Sequence, residues 1–193
     1  MTDNGAVGKT LPPKRIKNAA LRSREYLTEV EVERLMRAAR QRGRHGVRDA
    51  AMILMAYRHG LRVGELCALR WDQVDFTRGL LHVDRRNRTA CVHLIRRPDL
   101  WLLRQVQRDS ASGVYVFMTE REGPMSAAGF RKMLARTGVA AGFGFGVHPH
   151  MLRHACGYKL AKDGCDTRAI QNYLGHQNIQ HTVRYTHRSG ENA

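Results

Sequence analysis

Apolar residues recur at helical spacing along most of this chain, and over one short stretch they alternate instead. The first periodic run is Val32, Leu35, Met36 and Ala39, preceded by Thr28-Glu-Val-Glu31, the arrangement of a capping box. A helix from Thr28 is therefore expected. Arg48 to His59 carries AAMILMAY, apolar on every side and stopped by Gly60, which predicts a buried helix. A short helix over 63–69 follows. The period then drops to two: Leu80-Leu-His-Val83 and Cys91-Val-His-Leu94 read as a hairpin around the basic connector Asp84 to Thr89. Pro98 opens a helix to about Arg108, Val114 to Phe117 reads as a short strand, and Ser126 caps a helix to about Thr137. Beyond the glycine-rich turn 142–146 the pattern is helical over 149–163, 166–174 and 178–187, interrupted at Gly164 and at Gly175-His-Gln. The reading is mainly α with a small antiparallel β-sheet and no internal repeat.

Charge narrows the class. Of 193 residues, 33 are Lys or Arg and 17 Asp or Glu, and 33 − 17 gives a formal charge of +16. Arginine supplies 27 of the 33, a bias toward phosphate and guanine recognition. A 42% hydrophobic content supports a packed core and excludes disorder throughout. Such an excess points to a polyanionic partner, nucleic acid first. Residues 1–25 are basic, carry Pro12 and Pro13 and lack apolar periodicity, so they read as a flexible N-terminal arm; 26–193 reads as one domain. No run approaches the roughly 20 apolar residues that span a bilayer, and Met1 to Thr10 has no apolar core of a secretory signal. A cytoplasmic protein is expected, its cysteines at 67, 91, 156 and 165 reduced, with no C-x-x-C pair among them. His150 and His154 stand at metal-binding spacing, but Met151 sits where the zinc-protease pattern has Glu. No metal and no other cofactor is expected.

Several polar residues remain. Arg62 lies in the break between two apolar helices (HGLRVGEL), and Glu65, one turn on, is placed to orient its guanidinium. His150 and Arg153 share a helix face in HPHMLRH, His176 sits in the turn LGH, and Tyr185 follows in HTVRYTH. Singly, each has a structural explanation: a capped carbonyl, a chance H-x-x-R, an amphipathic helix residue. Their order is the signal.

In GLRVGEL, HMLR, YLGH and the Tyr of HTVRYT the chain resembles the tyrosine recombinases, the phage-integrase-type site-specific recombinases, over about residues 26–187. The string from His148 to Thr186 is most similar to the small fimbrial phase-variation invertases, which lack a separate N-terminal DNA-binding domain. The resemblance implies the DNA breaking-rejoining catalytic-domain fold, with Tyr185 as nucleophile and Arg62, Arg153, His150 and His176 around the scissile phosphate. It implies attack that leaves a 3′-phosphotyrosine and a free 5′ hydroxyl, with His150 accepting the phenolic proton. The bond energy is kept, so rejoining needs neither ATP nor metal. Partners implied are double-stranded DNA with inverted-repeat sites, a dimer per site and a tetramer in synapsis, DNA-bending accessory proteins and a nucleoid setting.

Two departures stand out. The family's hairpin lysine, which protonates the leaving oxygen, is missing; Arg85, Arg86 and Arg88 occupy the connector, and Arg86 is the expected electrostatic substitute. Eight residues (193 − 185) follow Tyr185, fewer than the family's subunit-docking segment. A catalytically impaired DNA-binding relative that regulates recombination or transcription is the alternative. DNA contacts are expected from the arm (Lys14, Arg15, Lys17, Arg22, Arg24), from Arg44 and Arg48, and from Arg85 and Arg88.

Overall fold

The computed structural model describes residues 24–85, 90–109 and 113–189, with side chains through Thr186 in the last helix. Thr28 starts α1 (Glu29–Arg40) as its capping box requires: the Glu31 amide donates to the Thr28 hydroxyl at 3.3 Å, and the Thr28 amide to the Glu31 carboxylate at 2.8 Å. The centre of the molecule is α2 (Gly46–Arg58), in which every residue from Ala50 to Tyr57 is buried. A helix apolar all round needs neighbours all round. They are α1, α4 (Arg97–Asp109) and α6 (Pro149–Lys162).

A short helix α3 (Val63–Cys67) and a single 3-10 turn lead into a three-stranded antiparallel sheet of order β1 (Val74–Asp75), β2 (Leu80–Val83), β3 (Cys91–Leu94). Leu80 lies opposite Leu94, Val83 opposite Cys91 and Val74 opposite Leu81. The sequence pattern predicts the hairpin but not β1, whose two residues are too short to show a period. It also overreaches at 114–117: Tyr115 makes one isolated bridge to Arg70, and the stretch is otherwise irregular. α5 (Ala127–Ala140), capped by Ser126, and two final helices, α7 (Thr167–Leu174) and α8 (Gln180–Ser189), complete the described fold. Among the described residues no helix is long and apolar enough to cross a membrane.

The apolar interior is in two parts. The larger surrounds α2. The smaller consists of Cys156, Ile170, Leu174 and Tyr185, and it seats α7 and α8 on α6. All four thiols are free; burial pushes Cys67 up to about 11 and Cys156 up to about 12, so both are neutral packing groups.

His59 and His93 lie between these parts, 1% and 2% exposed, with His93 stacked on Tyr173 at 3.9 Å between ring centroids. Burial lowers His59 from 6.5 to about 3, helped by His93 and Arg58, and His93 to about 4, helped by Arg85. Both are neutral in the folded chain. The unfolded chain takes up protons first, below about pH 6.5, so their contribution is complete above that value and is lost as pH falls toward the folded values. Each can change stability by up to about 1.4 kcal/mol per pH unit within that window. The midpoint of urea unfolding is expected to drop steeply between pH 6.5 and 4.5; a midpoint unchanged across that range would contradict the assignment.

Candidate active site

The last carbonyls of a helix have no partner within it, and they carry the negative end of its dipole. At the end of α7 these carbonyls collect three arginines from distant parts of the chain. Arg85 donates to the carbonyls of Tyr173 and Leu174, Arg153 to those of Leu174 and Gly60, and Arg62 to that of Gly175 at 2.7 Å. Glu65 joins the group by accepting from the Arg62 amide and the Arg62 guanidinium, both at 2.8 Å, with Arg85 at 4.0 Å from the same carboxylate. Gly175 is the residue this assembly tolerates. Its φ is +62°, and a Cβ there would run into the Arg85 guanidinium.

His176 follows directly. Its Nδ1 lies 2.8 Å from the Thr182 hydroxyl, and its ring is stacked on that of Tyr185 with centroids 6.1 Å apart. Burial lowers His176 to about 3, and Arg153 and Arg62 deepen the shift, so at neutral pH its imidazole is uncharged with one N–H to donate. Burial and Arg62 together lower Arg153 to about 10, which leaves it cationic.

Tyr185 closes the site from α8. The phenol oxygen lies 2.8 Å from His154 Nδ1, and the Tyr158 ring meets the Tyr185 ring edge-on at 5.0 Å. The Tyr185 ring lies flat on α6 over Gly157, where a Cβ would come within 2.6 Å of it. The side chain is 0% exposed. Burial raises its pKa, while Arg184 and Arg153 pull the other way.

Arg62, Glu65, Arg153, His176 and Tyr185 thus form one cluster. His150 stands exposed in the first turn of α6, its ring 6.4 Å from that of His154. The ring within hydrogen-bond distance of the phenol is that of His154, where the family resemblance implied His150. His154 carries a signal in the sequence, one residue after Arg153 and one turn after His150, but in sequence it registers only as half of a rejected metal pair. Arg184, which reaches the His154 ring at 3.2 Å, was likewise missed.

Three of the arginines expected to contact DNA have protein partners in this structure. Arg85 is 4% exposed, and its guanidinium is committed to the α7 carbonyls rather than to a surface phosphate. Arg48 is tied to Asp49 at 2.7 Å and to the Met118 carbonyl at 2.8 Å. Arg24 pairs with Glu31 at 2.6 Å and lies over the Phe145 ring. Each has an inward partner that neutralises or satisfies it. Arg44 is exposed. Lys14, Arg15, Lys17, Arg22, Arg86 and Arg88 lie outside the described residues.

Two guanidinium groups, an imidazole donor and a phenol in one cluster are the equipment for nucleophilic attack on a phosphodiester. The description Phage integrase family matches residues 25–192. The type 1 fimbriae regulatory protein FimE of Escherichia coli (strain K12) is 41% identical over 170 residues, which is 84% of this chain and 85% of that one. FimB of the same strain is 36% identical over 171 residues, 86% and 85% of the two chains. Among solved structures, that of the XerA recombinase superposes with a TM-score of 0.75 at 28% identity over 84% of this chain, and this chain spans 60% of its length. The chain belongs to the phage integrase family. It is a tyrosine-type site-specific recombinase.

Proposed function

We propose that this recombinase inverts a DNA segment lying between inverted repeats, with Tyr185 as nucleophile and Arg62, Arg153 and His176 as the phosphate clamp. The observation that carries the reading is the convergence of those four residues on the end of α7. Similarity to two fimbrial regulatory proteins over most of their length supports inversion and fimbrial phase variation over integration.

In this reading the forked guanidinium groups bind the non-bridging oxygens and the charge that builds on them in the pentavalent transition state. The His176 N–H adds a donor. The phenol oxygen attacks phosphorus, the bond to the 5′ oxygen breaks, and a 3′-phosphotyrosine holds the energy for rejoining. Because the phenol is 0% exposed here, α8 must shift on its small apolar seat for the oxygen to reach DNA. Arg86 acts on the leaving oxygen electrostatically. Residues 1–25 act as a DNA-contacting arm and 26–193 as the catalytic domain. The recombinase works in the cytoplasm on the nucleoid, as a dimer on each site and a tetramer in synapsis, with DNA-bending proteins as helpers.

The test has two stages. Genomic fragments are incubated with the protein, and the covalently trapped 3′ ends are mapped. The mapped sites are then placed as inverted repeats around a promoter on a supercoiled plasmid. Inverted product is the expected result. A footprint without covalent ends would instead support the catalytically impaired regulator, for which the missing hairpin lysine speaks.

A further inference from the structure

Arg85 is a buried cation beside the phosphate clamp with no part yet in the reaction. A helix leaves its last four carbonyls without a partner inside it. In α7 these belong to Gln171, Asn172, Tyr173 and Leu174. The turn at Gly175 uses two of them: the His176 amide donates to the Gln171 carbonyl and the Gly175 amide to that of Asn172, both at 3.1 Å. Tyr173 and Leu174 are left over. Arg85 donates to both, one terminal nitrogen to each, and its Nε donates to the Cys91 sulfur at 3.1 Å. Its side chain is 2% exposed, and Glu65 lies 4.0 Å away. With every nitrogen engaged and its charge offset by a carboxylate and a helix end, this guanidinium is fixed in place.

The Leu174 carbonyl is served twice. It accepts from Arg85 and also from Arg153, whose other terminal nitrogen donates to the Gly60 carbonyl. We propose that Arg85 is a positioning residue that holds the end of α7 unaided, so that Arg153 turns its fork from the Leu174 carbonyl to the scissile phosphate without leaving that carbonyl unpaired. This rests on the reading of Arg153 as part of the phosphate clamp.

A buried carbonyl stripped of its donor costs free energy. Were Arg153 the lone donor at Leu174, that cost would be added to the barrier each time it engaged DNA. With Arg85 in place the carbonyl keeps a donor in both arrangements. Gly175 shows how closely the cation is fitted, since a Cβ there would run into its guanidinium. The partners of Arg85 lie on α7, at the start of β3 and in α3. None of these partners is on α8, so a shift of that helix leaves them in place.

The experiment uses the full chain and a suicide duplex carrying a mapped site. Arg85→Met keeps the length of the side chain and removes its donors. Covalent-complex formation at saturating duplex is expected to slow by about 10-fold to 100-fold, with duplex affinity and its salt dependence unchanged. Arg85→Lys, with one ammonium for two carbonyls, should fall between Arg85→Met and wild type. In an Arg153→Lys background, which has no fork to release, Arg85→Met should cost less than about threefold more. Three results overturn the proposal. One is a saturated rate in Arg85→Met within about threefold of wild type, whatever its melting temperature. Another is a salt slope shallower by about 0.9, the mark of a lost phosphate contact. The third is an equal loss from Arg85→Met in both backgrounds.

A measurement on the unaltered chain guards against misfolded variants. Phenylglyoxal modifies accessible arginines, and mass spectrometry maps the sites. Arg85 should resist modification with and without duplex, whereas Arg62 should react in the free chain and be protected by DNA. An Arg85 that reacts when free and is protected by duplex overturns the proposal. Arg153→Lys separates the two failures. Cleavage at the wild-type rate in that variant brings down the clamp and this inference with it. Slow cleavage there, with a normal rate in Arg85→Met, brings down the inference alone.

Discussion

Tyr185→Phe is expected to reduce covalent protein–DNA complexes to background while leaving DNA affinity unchanged. The substitution removes one oxygen. The phenyl ring still fills the seat over Gly157 and against Tyr158, so α8 keeps its packing in the smaller apolar cluster. The fold loses the 2.8 Å bond to His154 and the phenol's hydrogen bond with Arg184. Leaving a part-buried imidazole nitrogen without that partner costs on the order of 1–3 kcal/mol, a modest fall in melting temperature. In the proposed reaction the chemical loss is complete, because the oxygen removed is the one that attacks. A free phenol has a pKa near 10, so only about one in a thousand is ionised at pH 7, and burial pushes Tyr185 further from ionisation. In the proposed reaction the cationic cluster therefore has to favour loss of the phenolic proton during attack. Affinity and adduct yield, read on one suicide substrate, separate these contributions.

Arg62→Ala is expected to slow cleavage on the order of 10²–10³-fold with little effect on stability, whereas Arg153→Ala is expected to lose both. The difference lies in burial. The Arg62 side chain is 44% exposed, and its pairing with Glu65 is at the surface, where such pairs contribute little to folding. Its guanidinium also holds the Gly175 carbonyl, a bond that solvent can replace. Arg153 is 6% exposed and joins the Gly60 and Leu174 carbonyls. Removing it leaves the buried Gly60 carbonyl without that donor, at about 1–3 kcal/mol, while the Leu174 carbonyl keeps Arg85. Arg153→Lys keeps the charge but not the fork, and one ammonium cannot span both carbonyls and a phosphate. Single-turnover cleavage rates and thermal melts on the three variants check this. Equal melting temperatures for Arg62→Ala and Arg153→Ala would contradict the division of roles.

Much of the fold was legible because its elements obey strong local rules. The capping box at Thr28 and Glu31, the all-apolar AAMILMAY run and the period-two strands around the hairpin each correspond to an observed element. What was not legible depended on long-range partners. β1 exists only because β2 pairs with it, and 114–117 failed to become a strand because it has one bridge to Arg70 rather than a neighbouring strand. The site followed the same division. The order of Arg62, Arg153, His176 and Tyr185 was visible in sequence, and three-dimensional convergence supplied the reason for it: α7 ends in carbonyls that need cations. Arg85 illustrates the limit. In sequence it is one more basic residue in a basic connector. In the structure it is buried and shares the Leu174 carbonyl with Arg153. Charge alone does not reveal whether a guanidinium faces solvent or a helix end. His154 was overlooked for a related reason, since its importance comes from a residue 31 positions away.

In the proposed reaction the Tyr185 oxygen becomes bonded to a DNA 3′ phosphate held by arginines from distant segments. Its most direct test is to trap the complex on a suicide duplex, digest protein and DNA, and sequence the modified peptide by mass spectrometry. A nucleotide 3′-phosphate on Tyr185 alone is the expected result. A phosphate linked to Tyr158, to Tyr173 or to any other side chain would contradict it.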